Sequence, residues 1–222
     1  MFVIGIVSRP NISNLGKANI TVLEDIRRAV IKFGCVPISI LPPQDIEYFG
    51  KKLEEIPPLT NIEKQILEEQ IKLCNGIIMP GGTIMHEYDK YICDYCNRND
   101  IPLFGICMGM QIMCNYDNNN VNIKIEDGID RSKIFDHNIS IDKNSILYDI
   151  LKEENIKVNS FHKYKVSNSG SYKVCARNND VIEAVEKEGK FNVGVQWHPE
   201  RNINDENSKK LFKKFINSCK NN

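Results

Sequence analysis

Pro102-Leu103-Phe104-Gly105-Ile106-Cys107-Met108-Gly109-Met110-Gln111 decides how this chain folds. Pro102 to Ile106 reads as a short buried strand, and it runs without a linker into a helical pattern that begins at Met108. A strand that must become a helix within one residue leaves that residue, Cys107, strained, with its side chain projecting from the sheet edge. The flanking positions must be small for strand and helix to pack closely, and Gly105 and Gly109 meet that need. A thiol at a helix start also sits among free amides and a partial positive charge that favour thiolate.

Upstream of this turn, short apolar runs alternate with helical patterns, the form of a parallel sheet covered by helices on both faces. Phe2 to Val7 reads as the first strand. Val22, Ile26, Ala29, Val30 and Phe33 recur at helical spacing and stop at Gly34, a suitable left-handed cap, before a run from Val36 to Leu41. Residues 42–58, rich in proline and charge, form a connecting excursion. Thr60 and Glu63 predict a capping box for a helix with Ile62, Ile66 and Leu73 facing inward, and Gly76 to Met79 supplies the third strand. Tyr88, Tyr91, Ile92 and Tyr95 mark a further helix.

Downstream, the run Asn118-Asn119-Asn120 reads as a loop. The period then shifts to two, at Tyr172 to Ala176, Val181 to Val185 and Val193 to Val195, with a short helix near Ile146 to Leu151. This half is expected to be mainly antiparallel. A last amphipathic helix carries Leu211, Phe212, Phe215 and Ile216. With no repeat and no flexible linker, residues 1–222 are expected to form a single α/β domain.

Lysine plus arginine and aspartate plus glutamate each total 29, so the formal net charge is +0 and the long-range attraction to phosphate backbones is missing. Nucleic acid and anionic membrane are not expected partners. The opening MFVIGIVSRPN has no basic residues before its short apolar run and differs from a signal peptide or spanning helix, which favours a cytoplasmic location. Eight cysteines, several inside apolar runs, fit a reducing compartment. Cys93 and Cys96 have C-x-x-C spacing without a second pair, and the tyrosines around them place both on a helix as ordinary helix residues. No metal or organic cofactor is implied.

A nucleophile needs a base. Trp197-His198-Pro199-Glu200 follows the run ending at Gln196, and Pro199 is expected to hold His198 extended so that His198 and Glu200 share one side. Glu200 would then fix the imidazole tautomer while the other ring nitrogen faces the thiol. Pro80-Gly81-Gly82 directly follows the third strand and offers backbone that a ligand can approach. An amide of Gly81 or Gly82 and the amide of Met108 are the expected oxyanion donors.

Gly105-x-Cys107-x-Gly109-x-Gln111 together with His198-Pro199-Glu200 resembles the class I glutamine amidotransferase superfamily. More narrowly, IGIVSRP, the MPGG turn, VNSFH at 158–162 and GVQWHPE at 194–200 resemble the gamma-glutamyl-gamma-aminobutyrate hydrolase family, also called gamma-glutamyl hydrolase-like peptidases, over nearly the whole chain. The resemblance implies a flavodoxin-like three-layer sandwich, a Cys107, His198, Glu200 triad, and hydrolysis of a small gamma-glutamyl amide through a glutamyl thioester. It further implies that Gln111 holds the glutamyl group, that His137-Asn138-Ile139 lines its amino acid end, and that His162 faces the leaving amine. The chain departs from the family where a longer acidic, proline-rich insertion usually follows PGG, and where His162-Lys163-Tyr164 replaces H-H-Q. Both regions contact the leaving group, so the amine side stays open. Two other readings remain: a glutaminase subunit that passes ammonia to a separate synthetase, and a non-catalytic sensor of gamma-glutamyl ligands. A homodimer is compatible with each.

Overall fold

Strand alternation around Cys107 sorts the apolar side chains into two cores. In the computed structural model, which describes residues 1–117, 122–124, 135–189 and 191–221, Phe104 and Ile106 enter the core on one face of the sheet and Leu103 enters the core on the other. The run Asn118-Asn119-Asn120 lies outside the described residues.

The chain begins with β1 (Val3–Val7), a two-stranded hairpin of β2 (Arg9–Ile12) and β3 (Ala18–Thr21), α1 (Glu24–Lys32) and β4 (Val36–Ile40). Then come α2 (Asn61–Lys72), β5 (Gly76–Met79), α3 (Glu87–Arg98), β6 (Leu103–Ile106), α4 (Met108–Asn115) and the short β7 (Asn122–Lys124). The remainder is β8 (Phe135–Ile141), α5 (Ile146–Leu151), β9 (Asn155–Ser160), β10 (Tyr164–Val166), β11 (Lys173–Asn178), β12 (Val181–Glu186), β13 (Asn192–Val195) and α6 (Glu206–Ser218). No described helix is long and apolar enough to cross a membrane.

Nine strands form one sheet in the order β4-β1-β5-β6-β13-β12-β11-β8-β9. β4, β1, β5, β6 and β13 pair in parallel, and β12, β11, β8 and β9 continue the sheet antiparallel. The last strand in sequence therefore inserts beside the strand that ends at Cys107. Helices α1, α5 and α6 cover one face, and α2, α3 and α4 the other, giving the three-layer α/β sandwich. Phe104 is fully buried against Phe191, Phe212 and Phe215, with ring centroids 5.4, 5.4 and 5.8 Å away, so α6 anchors the strand that carries the elbow.

The expected cap of α2 forms: Thr60 Oγ1 accepts the Glu63 amide at 3.3 Å while Glu63 accepts the Thr60 amide at 2.7 Å. Its expected inward face does not. Ile62, Ile66 and Leu73 are 69%, 43% and 68% exposed, and the buried stripe is Leu67 and Ile71. Ile62 with Ile66, and Leu67 with Ile71, are two apolar pairs at i,i+4 spacing lying about 140° apart on the helix, and periodicity alone does not choose between them. The hairpin of β2 and β3 was also not legible, because its strands are mostly exposed and lack apolar alternation.

Candidate active site

Cys107 has the backbone conformation that the strand-to-helix turn demands, with φ 53° and ψ −108°. Such a conformation costs about 1–3 kcal/mol and persists only where the surroundings enforce it. Three contacts do so. The Cys107 amide donates to Val195 O at 2.8 Å, its carbonyl accepts from the Gln111 amide at 3.2 Å, and the glycines on either side leave no room for a shift. A Cβ on Gly105 would lie 2.8 Å from the backbone of Gly109, and one on Gly109 would lie 2.0 Å from Met79 O.

His198 and Glu200 meet behind this turn, although by a different route from the one expected. His198 has φ −114° and ψ 79°, and Pro199 to Asn202 wind into a single 3-10 turn rather than continuing the strand. The turn still brings His198 Nδ1 to Glu200 Oε1 at 2.7 Å. Asn159 clamps the histidine backbone from β9, accepting from the His198 amide at 2.8 Å and donating to its carbonyl at 2.9 Å. The Phe161 ring lies 6.5 Å from the imidazole, and the Arg201 guanidinium stacks over Phe161 at 4.9 Å, so these two roof the histidine.

The sulfur is more covered than a thiol displayed at an open edge would be, with Cys107 retaining 7% of its exposure. Gly81 is the reason. A Cβ there would sit 3.2 Å from His198 Cε1 and 3.9 Å from Cys107 Sγ, so the glycine backbone closes directly over both groups. Gly82 lies beside the Met108 side chain. Burial pulls the His198 pKa down, but hydrogen bonding and charge from Cys107 and Glu200 outweigh it and raise the value to about 10. His198 Nε2 has no hydrogen bond of ordinary geometry among the described residues; such contacts are commonly loose before substrate binds.

Gln111 and His162 converge on one carbonyl. Gln111 Nε2 donates to Tyr164 O at 3.0 Å, and His162 Nδ1 lies 3.1 Å from the same oxygen. Gln111 Nε2 also donates to Gln196 Oε1 at 3.1 Å. His137 does not line a pocket together with Asn138 and Ile139: along β8 the side chain of Ile139 enters the core, that of Asn138 is exposed, and His137 Nε2 meets Glu183 Oε1 at 2.9 Å. Period-two alternation prevents three consecutive side chains from sharing a face. Only the strand backbone could present all three.

Several residues at the site were not singled out from sequence: Arg9, Asp89, Asn159, Glu183 and Gln196. Glu183 Oε2 and Gln196 Nε2 are buried without a hydrogen-bond partner among the described residues. They are neighbours, because the Gln196 amide donates to Glu183 O at 2.7 Å, and Gln196 directly follows Val195, whose carbonyl binds the Cys107 amide. A buried carboxylate in a sequence otherwise apolar, Val181-Ile182-Glu183-Ala184-Val185, was the available signal. Cys93 and Cys96 are buried on α3, and that burial pushes both thiols well above their usual range. Among the described residues no group of three His, Cys, Asp or Glu is placed to hold a metal ion.

Comparison with known proteins finds relatives among hydrolases and glutaminases. The gamma-glutamyl-CDP-amidate hydrolase of Campylobacter jejuni is 26% identical over 135 residues, 60% of this chain and 59% of that protein. One subunit of the glutamine-hydrolysing GMP synthase of Archaeoglobus fulgidus is 26% identical over 160 residues, 72% of this chain and 84% of that protein. The glutaminase domain of Trypanosoma brucei CTPS, solved with bound acivicin, superposes with a TM-score of 0.65 at 17% identity, covering 99% of this chain and 94% of that one, and shares the fold. The Peptidase C26 family matches residues 2–200, and the chain belongs to that class I glutamine amidotransferase-like family of hydrolases acting on C–N amide bonds.

Proposed function

We propose that the chain hydrolyses the gamma-glutamyl amide bond of a small gamma-glutamyl compound, with Cys107 as nucleophile, His198 as proton carrier and Glu200 as its orienter. The observation that carries this reading is the strained Cys107 lying under Gly81 beside an imidazole whose far nitrogen is held by Glu200. The thiolate adds to the amide carbonyl, and the oxyanion is met by the Met108 amide and by an amide of Gly81 or Gly82. His198 gives its proton to the departing amine as the C–N bond breaks, leaving a glutamyl thioester. Water, deprotonated by the same imidazole, then cleaves the thioester, and glutamate leaves as the thiol is restored.

Glu183 Oε2 and Gln196 Nε2, without a hydrogen-bond partner among the described residues, support a glutamyl group as the acyl part, since a buried carboxylate oxygen and amide N–H complement an α-ammonium and an α-carboxylate. Gln111, the β8 backbone at His137-Asn138-Ile139, and His162 complete the proposed binding residues. On this reading the purified protein releases glutamate from at least one member of a panel of gamma-glutamyl amines. Turnover of glutamine alone, appearing only when a synthetase is added, would favour the second reading, a glutaminase subunit. That reading draws on the likeness to the Archaeoglobus fulgidus GMP synthase subunit, which this chain matches over 84% of its length.

The raised His198 pKa sets a pH dependence. The imidazolium needed to protonate the leaving amine is present below about pH 10 and is lost as pH rises through that value, so kcat/KM is expected to fall on an alkaline limb there. Folding stability carries the same sign, because the folded value lies above the unfolded one of 6.5: the contribution is whole below that pH and disappears through about 10. Glu200→Gln removes one of the raising groups and should move the limb to lower pH in a pH-rate profile. A limb that stays in place would show that Glu200 does not act on His198.

A further inference from the structure

Arg9 is buried at the start of β2, and its guanidinium reaches the turn after β5 and one carboxylate. Nη2 donates to Pro80 O at 3.0 Å, Nε to Gly81 O at 3.4 Å, and Nη1 pairs with Asp89 Oδ1. Asp89 is fully buried in the first turn of α3, and its other oxygen accepts the His86 amide at 2.9 Å. Both oxygens of Asp89 are therefore partnered within the protein, and the fork of Arg9 grips two consecutive carbonyls.

In a trans peptide the carbonyl and the following N–H point in opposite directions. Turning Pro80 O and Gly81 O toward Arg9 turns the amides of Gly81 and Gly82 away from it. The Gly81 α-carbon meanwhile faces Cys107 and His198, at the distances given by its missing Cβ. The same turn passes between Arg9 and the nucleophile, and a Cβ on Gly82 would touch Arg9 Nε at 3.3 Å.

We propose that Arg9, fixed by Asp89, is a positioning residue that sets the orientation of the Gly81 and Gly82 amides for the oxyanion of amide hydrolysis. It touches neither substrate nor nucleophile and acts only through the two peptide planes. The proposal rests on the Cys107 reading given above and adds a role for an arginine that the triad motifs do not include. A lysine at position 9 keeps the charge beside Asp89 but cannot grip both carbonyls, so it separates orientation from charge balance.

The test compares wild type, Arg9→Lys and the doubly neutralised Arg9→Met/Asp89→Asn, which leaves no unpaired buried ion, with L-gamma-glutamyl-p-nitroanilide as probe. Removing an oxyanion donor costs about 100- to 1000-fold in kcat, so a misaligned pair should cost at least about 10-fold in Arg9→Lys, with KM changed less than about 3-fold. Alkylation of Cys107 by iodoacetamide, which builds no oxyanion, should stay within about 2-fold of wild type. The double variant, followed by added methylguanidinium, gives a second route: its kcat falls and is partly restored. Wild-type kcat in folded Arg9→Lys, or hydrolysis and alkylation falling together in both variants, would overturn the proposal. Hydrolysis retained in Cys107→Ala would instead remove the reading on which it rests.

Discussion

Replacing Cys107 with alanine is expected to lower kcat for gamma-glutamyl amide hydrolysis by at least about ten-thousand-fold, the scale seen when a triad nucleophile is lost. The loss is chemical rather than structural. Alanine keeps the Cβ that packs under Gly81, keeps the φ 53° backbone already enforced by Val195 O and the two glycines, and removes only a sulfur whose hydrogen bonding and charge act on His198. Thermal unfolding should therefore shift by only a few degrees. Because triad members act as a unit, adding His198→Ala to Cys107→Ala should cost little more than the single change. Activity in Cys107→Ala within tenfold of wild type would remove the nucleophile assignment.

The second large effect falls on a residue with no side chain. On an ordinary helix, Gly→Ala stabilises by about 1 kcal/mol. Gly109→Ala should do the reverse, because the new methyl would lie 2.0 Å from Met79 O and 2.8 Å from Met79 C, backbone atoms of the central strand β5. Overpacking a core costs about 1–3 kcal/mol where side chains can yield, and here a backbone must move, so we expect at least about 3 kcal/mol. For a chain of this size that is a fall in Tm of about 10 °C. Met79 immediately precedes Pro80-Gly81-Gly82, so displacing it also moves the turn over Cys107, and kcat should fall further than stability alone explains. Calorimetry with parallel kinetics below the transition checks both. An unchanged Tm would mean that α4 does not approach β5 as closely as described.

Gly109 also shows why the centre of the fold was legible. The need for a small residue at each side of Cys107 is local, written within five positions, and strand, turn and helix are contiguous there. Gly76 to Met79 and Ile146 to Leu151 were readable for the same reason: each is bounded by its own stop signals, and the structure places β5 and α5 on those residues. The Thr60 and Glu63 cap is equally local.

What sequence reading missed depends on contacts between distant segments. Which stripe of α2 is buried is set by the sheet beneath it, not by the helix. The placement of β13 between β6 and β12 joins strands nearly ninety positions apart, and only that insertion brings the segment of His198 beside Cys107. Asn159 holds the His198 backbone across 39 positions, and Arg9 reaches Pro80 across 71. Neither has a motif, since any buried polar side chain with the right reach would serve. The 3-10 turn at Pro199 is a subtler miss: proline fixes its own φ and disfavours helix before it, but it is well suited to begin a turn, which is how His198 and Glu200 meet.

The central claim is that the sulfur of Cys107 becomes covalently bonded to the glutamyl carbon. Wild-type protein mixed with L-gamma-glutamyl-p-nitroanilide, quenched in acid within the first turnover and digested for mass spectrometry, tests it most directly. The account predicts a glutamyl adduct on the peptide containing Cys107, lost on neutral hydroxylamine treatment as a thioester must be, and absent from Cys107→Ala. Steady release of p-nitroaniline with no adduct on that peptide at any quench time, or an adduct on a different residue, would contradict it.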